Sequence, residues 1–101
     1  MGAKIITEAA FSARARKSPM AAVIGQEVRW LGVDSDSVIG AVIFDKIDKD
    51  YAWVVLGPDP VGNWRAIDMN ASLDSEDDAE DALRTKLEEY EQSGQRVWKQ
   101  D

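Results

Sequence analysis

The apolar positions of this chain are concentrated in its middle, where they form short runs separated by turn-forming residues. The runs at 38–44 and 51–56 are apolar at successive positions, a pattern typical of strands that are covered on both faces. The charged turn between them is short, which indicates antiparallel neighbours. Runs that mix apolar with charged residues lie at 27–33 and 64–70. The pattern therefore predicts a four-stranded antiparallel meander sheet over about 27–70.

A single apolar stripe follows the sheet and has the spacing of a helix. Ser75 with Asp78 offers an N-cap, and Ser93-Gly94 is a usual helix end. These signals predict a C-terminal helix at about 75–92 that packs on one face of the sheet. The stripe recurs every three or four residues and comprises Ala79, Ala82, Leu83, Leu87 and Tyr90.

A second, shorter helix is predicted near the start of the chain, at about 7–17. The segment lacks Gly and Pro, begins at a potential N-cap (Thr7) and ends in basic residues before Ser18-Pro19. We expect it at an edge of the sheet or on the face that the C-terminal helix leaves open. In the tail, 95–101, Trp98 is expected to dock. The sequence thus predicts one α+β domain over 1–101.

The charge of the chain narrows the classes of partner. Asp and Glu exceed Lys and Arg by 19 to 12, a net charge of −7. This balance opposes generic binding to nucleic acid and to anionic membranes, since both rely on basic side chains. We expect a basic protein partner, or self-association.

The composition also narrows the possible chemistry. The chain has no cysteine and no histidine, so it lacks thiolates and the commonest general base and metal ligand. We predict no catalysis and no cofactor. No apolar run is long enough to span a membrane, and the first residues lack a signal-peptide pattern. A bacterial-type cytoplasmic protein is expected.

Carboxylates are the most abundant candidates for chemistry. Asp45 and Asp68 fall near strand ends, and together they suggest a Mg²⁺ or acid–base pair. In the predicted meander one strand separates them, which places them about 10 Å apart. The favoured interpretation is that Asp48 and Asp50 are turn residues and that Asp45 and Asp68 are solvated strand ends.

Aromatic residues are the second candidates. Trp30, Trp53 and Trp64 lie on predicted strands, where exposed indoles could stack nucleic-acid bases beside Arg29 and Arg65. Packing in the core is the commoner role of tryptophan, and we favour it for most of them. The possible interaction surface comprises Trp30, Trp53, Trp64, Arg29, Arg65 and Trp98.

The leading hypothesis is a non-catalytic protein–protein interaction module. The strands carry more apolar surface than two thin helices can cover, and uncovered sheet surfaces tend to find partners. One alternative is a nucleic-acid-binding domain that uses the aromatic sheet face. The other is an acidic nucleic-acid mimic that binds a basic partner through helix carboxylates such as Glu80, Asp81 and Glu88.

Three segments carry a resemblance to known proteins. RWLGVDSD at 29–36, IGAVIFDKIDKDYAWVVLGPD at 39–59 and WRAID at 64–68 resemble a group of small bacterial domains of unassigned function. That resemblance covers about residues 27–88 and implies no activity. In outline, a three-stranded meander followed by a helix is also similar to the arm-type DNA-binding domains of phage integrases. Those domains read DNA with basic sheet residues, for which Arg29 and Arg65 are the candidates here.

Overall fold

An antiparallel meander sheet of five strands and two helices make up the part of the chain that the computed structural model describes. The described residues are 2–14, 25–34, 37–58, 60–61 and 64–93. The strands lie side by side in chain order. The elements are β1 (Ala3–Ile6), α1 (Glu8–Arg14), β2 (Gly25–Val33), β3 (Ile39–Asp45), β4 (Asp50–Pro58), β5 (Trp64–Leu73) and α2 (Glu76–Ser93).

The sheet has one strand more than the sequence predicted. The α+β class, the antiparallel meander and both helices are confirmed, but the four-strand count is wrong because β1 pairs antiparallel with β2, with Lys4 opposite Gly32. Four residues are too few to show a clear alternation. That helix begins after Thr7, whose Oγ1 accepts the Ala10 N–H at 3.1 Å as an N-cap.

Both faces of the central strands are buried, as their continuous apolar runs predicted. On one face, here called the α2 side, Val42 and Trp53 pack in the same cluster as Leu83. On the opposite face, the α1 side, Phe11 packs in a cluster with Ile43 and other strand residues. The predicted surplus of uncovered apolar strand surface is therefore not found in β3 and β4, whose central residues are buried.

Helix α2 lies very close to the sheet at Gly40. A Cβ at this position would lie 2.5 Å from Leu83 Cδ1 and 2.8 Å from the Val54 carbonyl oxygen. Both distances are shorter than van der Waals contact, so only glycine fits between the helix and the neighbouring strand. The cap of α2 is as predicted: Asp78 N–H donates to Ser75 Oγ at 3.0 Å.

Irregularities in the sheet change which side chains share a face. The β2–β3 register shifts between Glu27 and Arg29, and each such bulge reverses the alternation that follows it. Arg29 therefore points to the α2 side, where it meets the helix, while Trp30 packs on the α1 side. The β4–β5 register shifts twice, which brings Asp68 to the α2 side.

Candidate acidic interaction surface

The turn between β3 and β4 is built around the carboxylate of Asp45. Its Oδ1 accepts the N–H of Ile47 at 2.8 Å and the N–H of Asp48 at 3.1 Å, and its carbonyl oxygen accepts the N–H of Lys49 at 2.9 Å. Aspartate is favoured in such turns because its short side chain reaches the backbone two residues on. Asp45 is only 7% exposed. The prediction of a solvated strand end was therefore wrong, because this carboxylate is folded into the turn.

Two further aspartates converge on Asp45. Asp50 pairs with it across the β3–β4 ladder, and one carboxylate oxygen from each of Asp45, Asp48 and Asp50 lies within 4.8 Å of the other two. The pairing of Tyr51 with Leu73 brings the start of the β5–α2 connection to the same place. We call Asp45, Asp48, Asp50 and Asp74 the acidic end.

The negative charge of the acidic end affects the pKa of Asp50. Partial burial raises the pKa of Asp50 above its ordinary value, and the negative charges of Asp45, Asp48 and Asp74 raise it further. A nearby positive charge stabilises carboxylates that repel one another in this way. Exposed Lys46 and Lys49 lie in the same turn. The net charge of this region is therefore negative, but the two lysines offset part of the charge of the carboxylates.

The chemistry open to this arrangement is the binding of cations. Carboxylate oxygens at this spacing are ligands that hard metal ions accept, and they are equally partners for the Lys and Arg side chains of another protein. Asp68 does not take part. It pairs with Val55, far along β4 from Asp50, and its Oδ2 accepts the Tyr90 hydroxyl at 3.4 Å. The suggested pairing of Asp45 with Asp68 is therefore not formed.

Arg29 lies in an ion-pair network at the start of α2. Its guanidinium contacts the carboxylates of Glu76, Asp77 and Glu80. Hydrogen bonding to Glu80 raises the pKa of Arg29. Arg84 Nη2 donates to Glu80 at 2.8 Å, and this bond and the one from Arg29 lower the pKa of Glu80. Arg29 thus serves to hold β2 against α2.

The tryptophans are divided between the two faces of the sheet. Trp53 is 3% exposed on the α2 side, and its indole N–H has no acceptor among the described residues. Trp30 and Trp64 are half-buried on the α1 side, where Trp30 Nε1 donates to Glu27 Oε1 at 3.1 Å. Arg65 is exposed, and Trp98 and the rest of the tail lie outside the described residues. The five predicted surface residues that the structure describes therefore do not form one aromatic face.

The carboxylates of α2 differ in their availability. Asp78 and Asp81 are exposed, but Glu80 is held by two arginines and Glu88 accepts the N–H of Ala3 at 3.1 Å. Glu80 and Glu88, which are among the carboxylates suggested for nucleic-acid mimicry, are thus used inside the molecule. An apolar side chain is available instead at the acidic turn, where Ile47 is 79% exposed.

Comparison of this chain with protein-family models, with curated proteins and with solved structures finds no match. The resemblance to small bacterial domains stays a prediction. None of the described helices has the length and apolar character needed to cross a bilayer.

Proposed function

We propose that this protein is a non-catalytic protein–protein interaction module whose acidic end binds a basic surface of its partner. The observation that carries the proposal is the convergence of like charges at the acidic end, where one carboxylate oxygen from each of Asp45, Asp48 and Asp50 lies within 4.8 Å of the other two and the three groups repel one another. A partner's Lys or Arg side chains would relieve this repulsion, and complementary charge gives both specificity and fast association.

The exposed Ile47 side chain supports a protein partner. It is 79% exposed at the tip of the turn and is flanked by Lys46 and Asp48. Protein interfaces typically have an apolar centre with a polar and charged rim. An exposed isoleucine flanked by charged side chains has that arrangement on a small scale, whereas the net negative charge of the acidic end disfavours a nucleic-acid backbone.

A mixed cluster of titratable groups between β5 and α2 supports a binding role over a catalytic one. Lys86 Nζ lies 3.9 Å from Asp68 Oδ2, and the hydroxyl of Tyr90 donates to the same carboxylate. Burial and the charge of Asp68 raise the pKa of Tyr90, which makes its phenolate less accessible for nucleophilic or base chemistry. The cytoplasmic location expected from the sequence belongs to the same proposal.

Charge reversal at the acidic end tests the proposal. Asp48→Lys/Asp74→Lys is expected to weaken partner binding by at least about tenfold, because attraction at the interface becomes repulsion. The partner is first recovered on immobilised wild-type protein, identified by mass spectrometry and then titrated by calorimetry. Its affinity for wild-type protein should fall with added salt.

A matched control separates the site from the overall charge. Glu8→Lys/Asp81→Lys changes two exposed carboxylates elsewhere and gives the same net charge as the acidic-end variant. It should bind like wild type, while Ile47→Ala should weaken binding without any change in charge. A partner that binds both double variants equally, or whose affinity is independent of salt, would contradict the proposal.

The raised pKa of Asp50 also predicts a pH dependence of stability. Its ordinary pKa is 3.8, and a folded-state value above this means that the folded protein holds the proton more tightly than the unfolded chain. The contribution of Asp50 to stability is therefore greatest below 3.8 and is lost as the pH rises through the folded-state pKa. Asp50→Asn should raise the melting temperature near about pH 7 and have little effect below about pH 3.

Melting curves at both pH values check this expectation, with Asp81→Asn as a control that removes the same charge from the exposed face of α2. An Asp50→Asn effect that is equal at both pH values would show that the repulsion at the acidic end has no energetic weight.

A further inference from the structure

The main chain of Ala3 in β1 is held by two side chains of α2. Its N–H donates to Glu88 Oε2 at 3.1 Å, and its carbonyl oxygen accepts a hydrogen bond from Arg84 Nη1. Ala3 belongs to the α2-side cluster and is 7% exposed. Glycine at residue 2 allows these hydrogen bonds to form, because a Cβ there would lie 2.9 Å from Glu88 Oε2 and because the φ of Gly2 is +85°.

These contacts define a groove that recognises an extended chain. We call the edge of β2 over Trp30–Val33, together with Arg84 and Glu88, the β1 groove. The β2 edge pairs with β1 residue by residue, and the two α2 side chains bind the peptide group rather than a side chain. Recognition of this kind is the β-strand addition that many proteins use to bind an extended segment.

The strand in the groove is short and is held separately from the helix that follows it. β1 has four residues, lies at the edge of the sheet, and leaves Ile5 60% exposed. Thr7 alone separates it from α1, which has its own anchor in the fully buried Phe11. A short edge strand with few buried side chains opens more readily than the central strands, and Thr7 can serve as its hinge.

We propose that the β1 groove exchanges strands between molecules: β1 of one copy binds the groove of a second copy. The fit of this occupant is already in the structure, because β1 itself has the register, the small side chain at residue 3 and the main-chain N–H and C=O that the groove binds. Exchange of an identical element reuses the contacts of the closed monomer and needs no new surface. The proposed strand exchange does not involve the acidic end.

Two complementary variants test the exchange in the full chain. Ala3→Pro removes the N–H that Glu88 accepts and leaves the groove intact. Glu88→Lys removes that acceptor from the groove and leaves the β1 sequence intact. Each variant alone should be a monomer of 11.2 kDa by analytical ultracentrifugation. Their mixture should contain a heterodimer of twice that mass, in which the strand of Glu88→Lys fills the groove of Ala3→Pro.

A disulfide lock provides the control. Lys4 and Gly32 are directly opposed, the chain contains no other cysteine, and a Cβ at residue 32 would make only ordinary contacts, from 3.4 Å upward. Lys4→Cys/Gly32→Cys added to the Glu88→Lys variant should abolish the heterodimer when oxidised and restore it when reduced.

Three results would overturn the proposal. The first is a mixture that stays monomeric although circular dichroism shows that both variants are folded. The second is a heterodimer whose amount is the same with the oxidised disulfide as without it. The third is an Ala3→Pro variant that is unfolded alone and remains unfolded when the Glu88→Lys variant is added.

Discussion

Leu83→Ala is expected to lower the free energy of unfolding by about 3–5 kcal/mol, near the upper end for leucine truncation. Leu83 is fully buried and sits against Gly40, where no Cβ can move in to fill the space left behind. A chain of 101 residues has a total stability of about 5–15 kcal/mol, so the variant should be near the limit of folding. Urea titration followed by circular dichroism measures the change.

Ile47→Ala is the matched control for this truncation. Ile47 is also a branched aliphatic residue, but it is 79% exposed, and its loss should change the unfolding free energy by no more than about 0.5 kcal/mol. Similar losses for Leu83→Ala and Ile47→Ala would mean that α2 does not pack on the sheet as described. The same control protein serves in the binding experiment, where Ile47→Ala is expected to act on the partner and not on the fold.

Gly40→Ala is expected to destabilise the protein by about 2 kcal/mol or more, although it adds a single methyl group. That methyl would lie 2.5 Å from Leu83 Cδ1 and 2.8 Å from Val54 O. The leucine side chain can rotate away at some cost, but the carbonyl oxygen belongs to the neighbouring strand and moves only with β4. Thermal unfolding should show a fall in the melting temperature of roughly 8 °C or more.

Gly32→Ala tests whether this loss is specific to the approach of α2. Gly32 is buried in the same sheet, but its added Cβ would meet Ile6 and Ile39 side chains only at ordinary distances of 3.4–3.8 Å. Gly32→Ala should therefore lower the free energy of unfolding clearly less than Gly40→Ala does. In a double-mutant cycle Gly40→Ala and Leu83→Ala should be non-additive, since the alanine at residue 83 removes one of the two clashes. Additive effects would contradict the close approach.

The packing of α2 on the sheet also positions both the acidic end and the β1 groove. Helix α2 begins just after Asp74, so its cap at Ser75 fixes one member of the acidic end. Farther along, the same helix presents Arg84 and Glu88 to β1. Loss of the helix–sheet packing should therefore affect partner binding and strand exchange together, whereas the acidic-end and Ala3→Pro variants should separate them.

Much of this protein could be predicted from the sequence because the signals are local. Continuous apolar runs identified β3 and β4 as strands covered on both faces, and both faces are buried. A stripe at helical spacing and a Ser75 cap identified α2. Short connections predicted the antiparallel meander. Each of these depends on residues close together in the chain, where periodicity and capping chemistry act.

Only the tertiary structure could decide features that depend on distant pairing. β1 exists because β2 offers an edge to four residues whose own pattern is too short to specify a strand. Bulges moved Arg29 and Asp68 to the α2 side, because one extra residue reverses a period of two. The acidic end was missed because its members come together through strand pairing. Asp45 and Asp50 each have the pattern of an ordinary turn residue, and only the ladder register shows that they are opposed, with Asp74 brought beside them by β5.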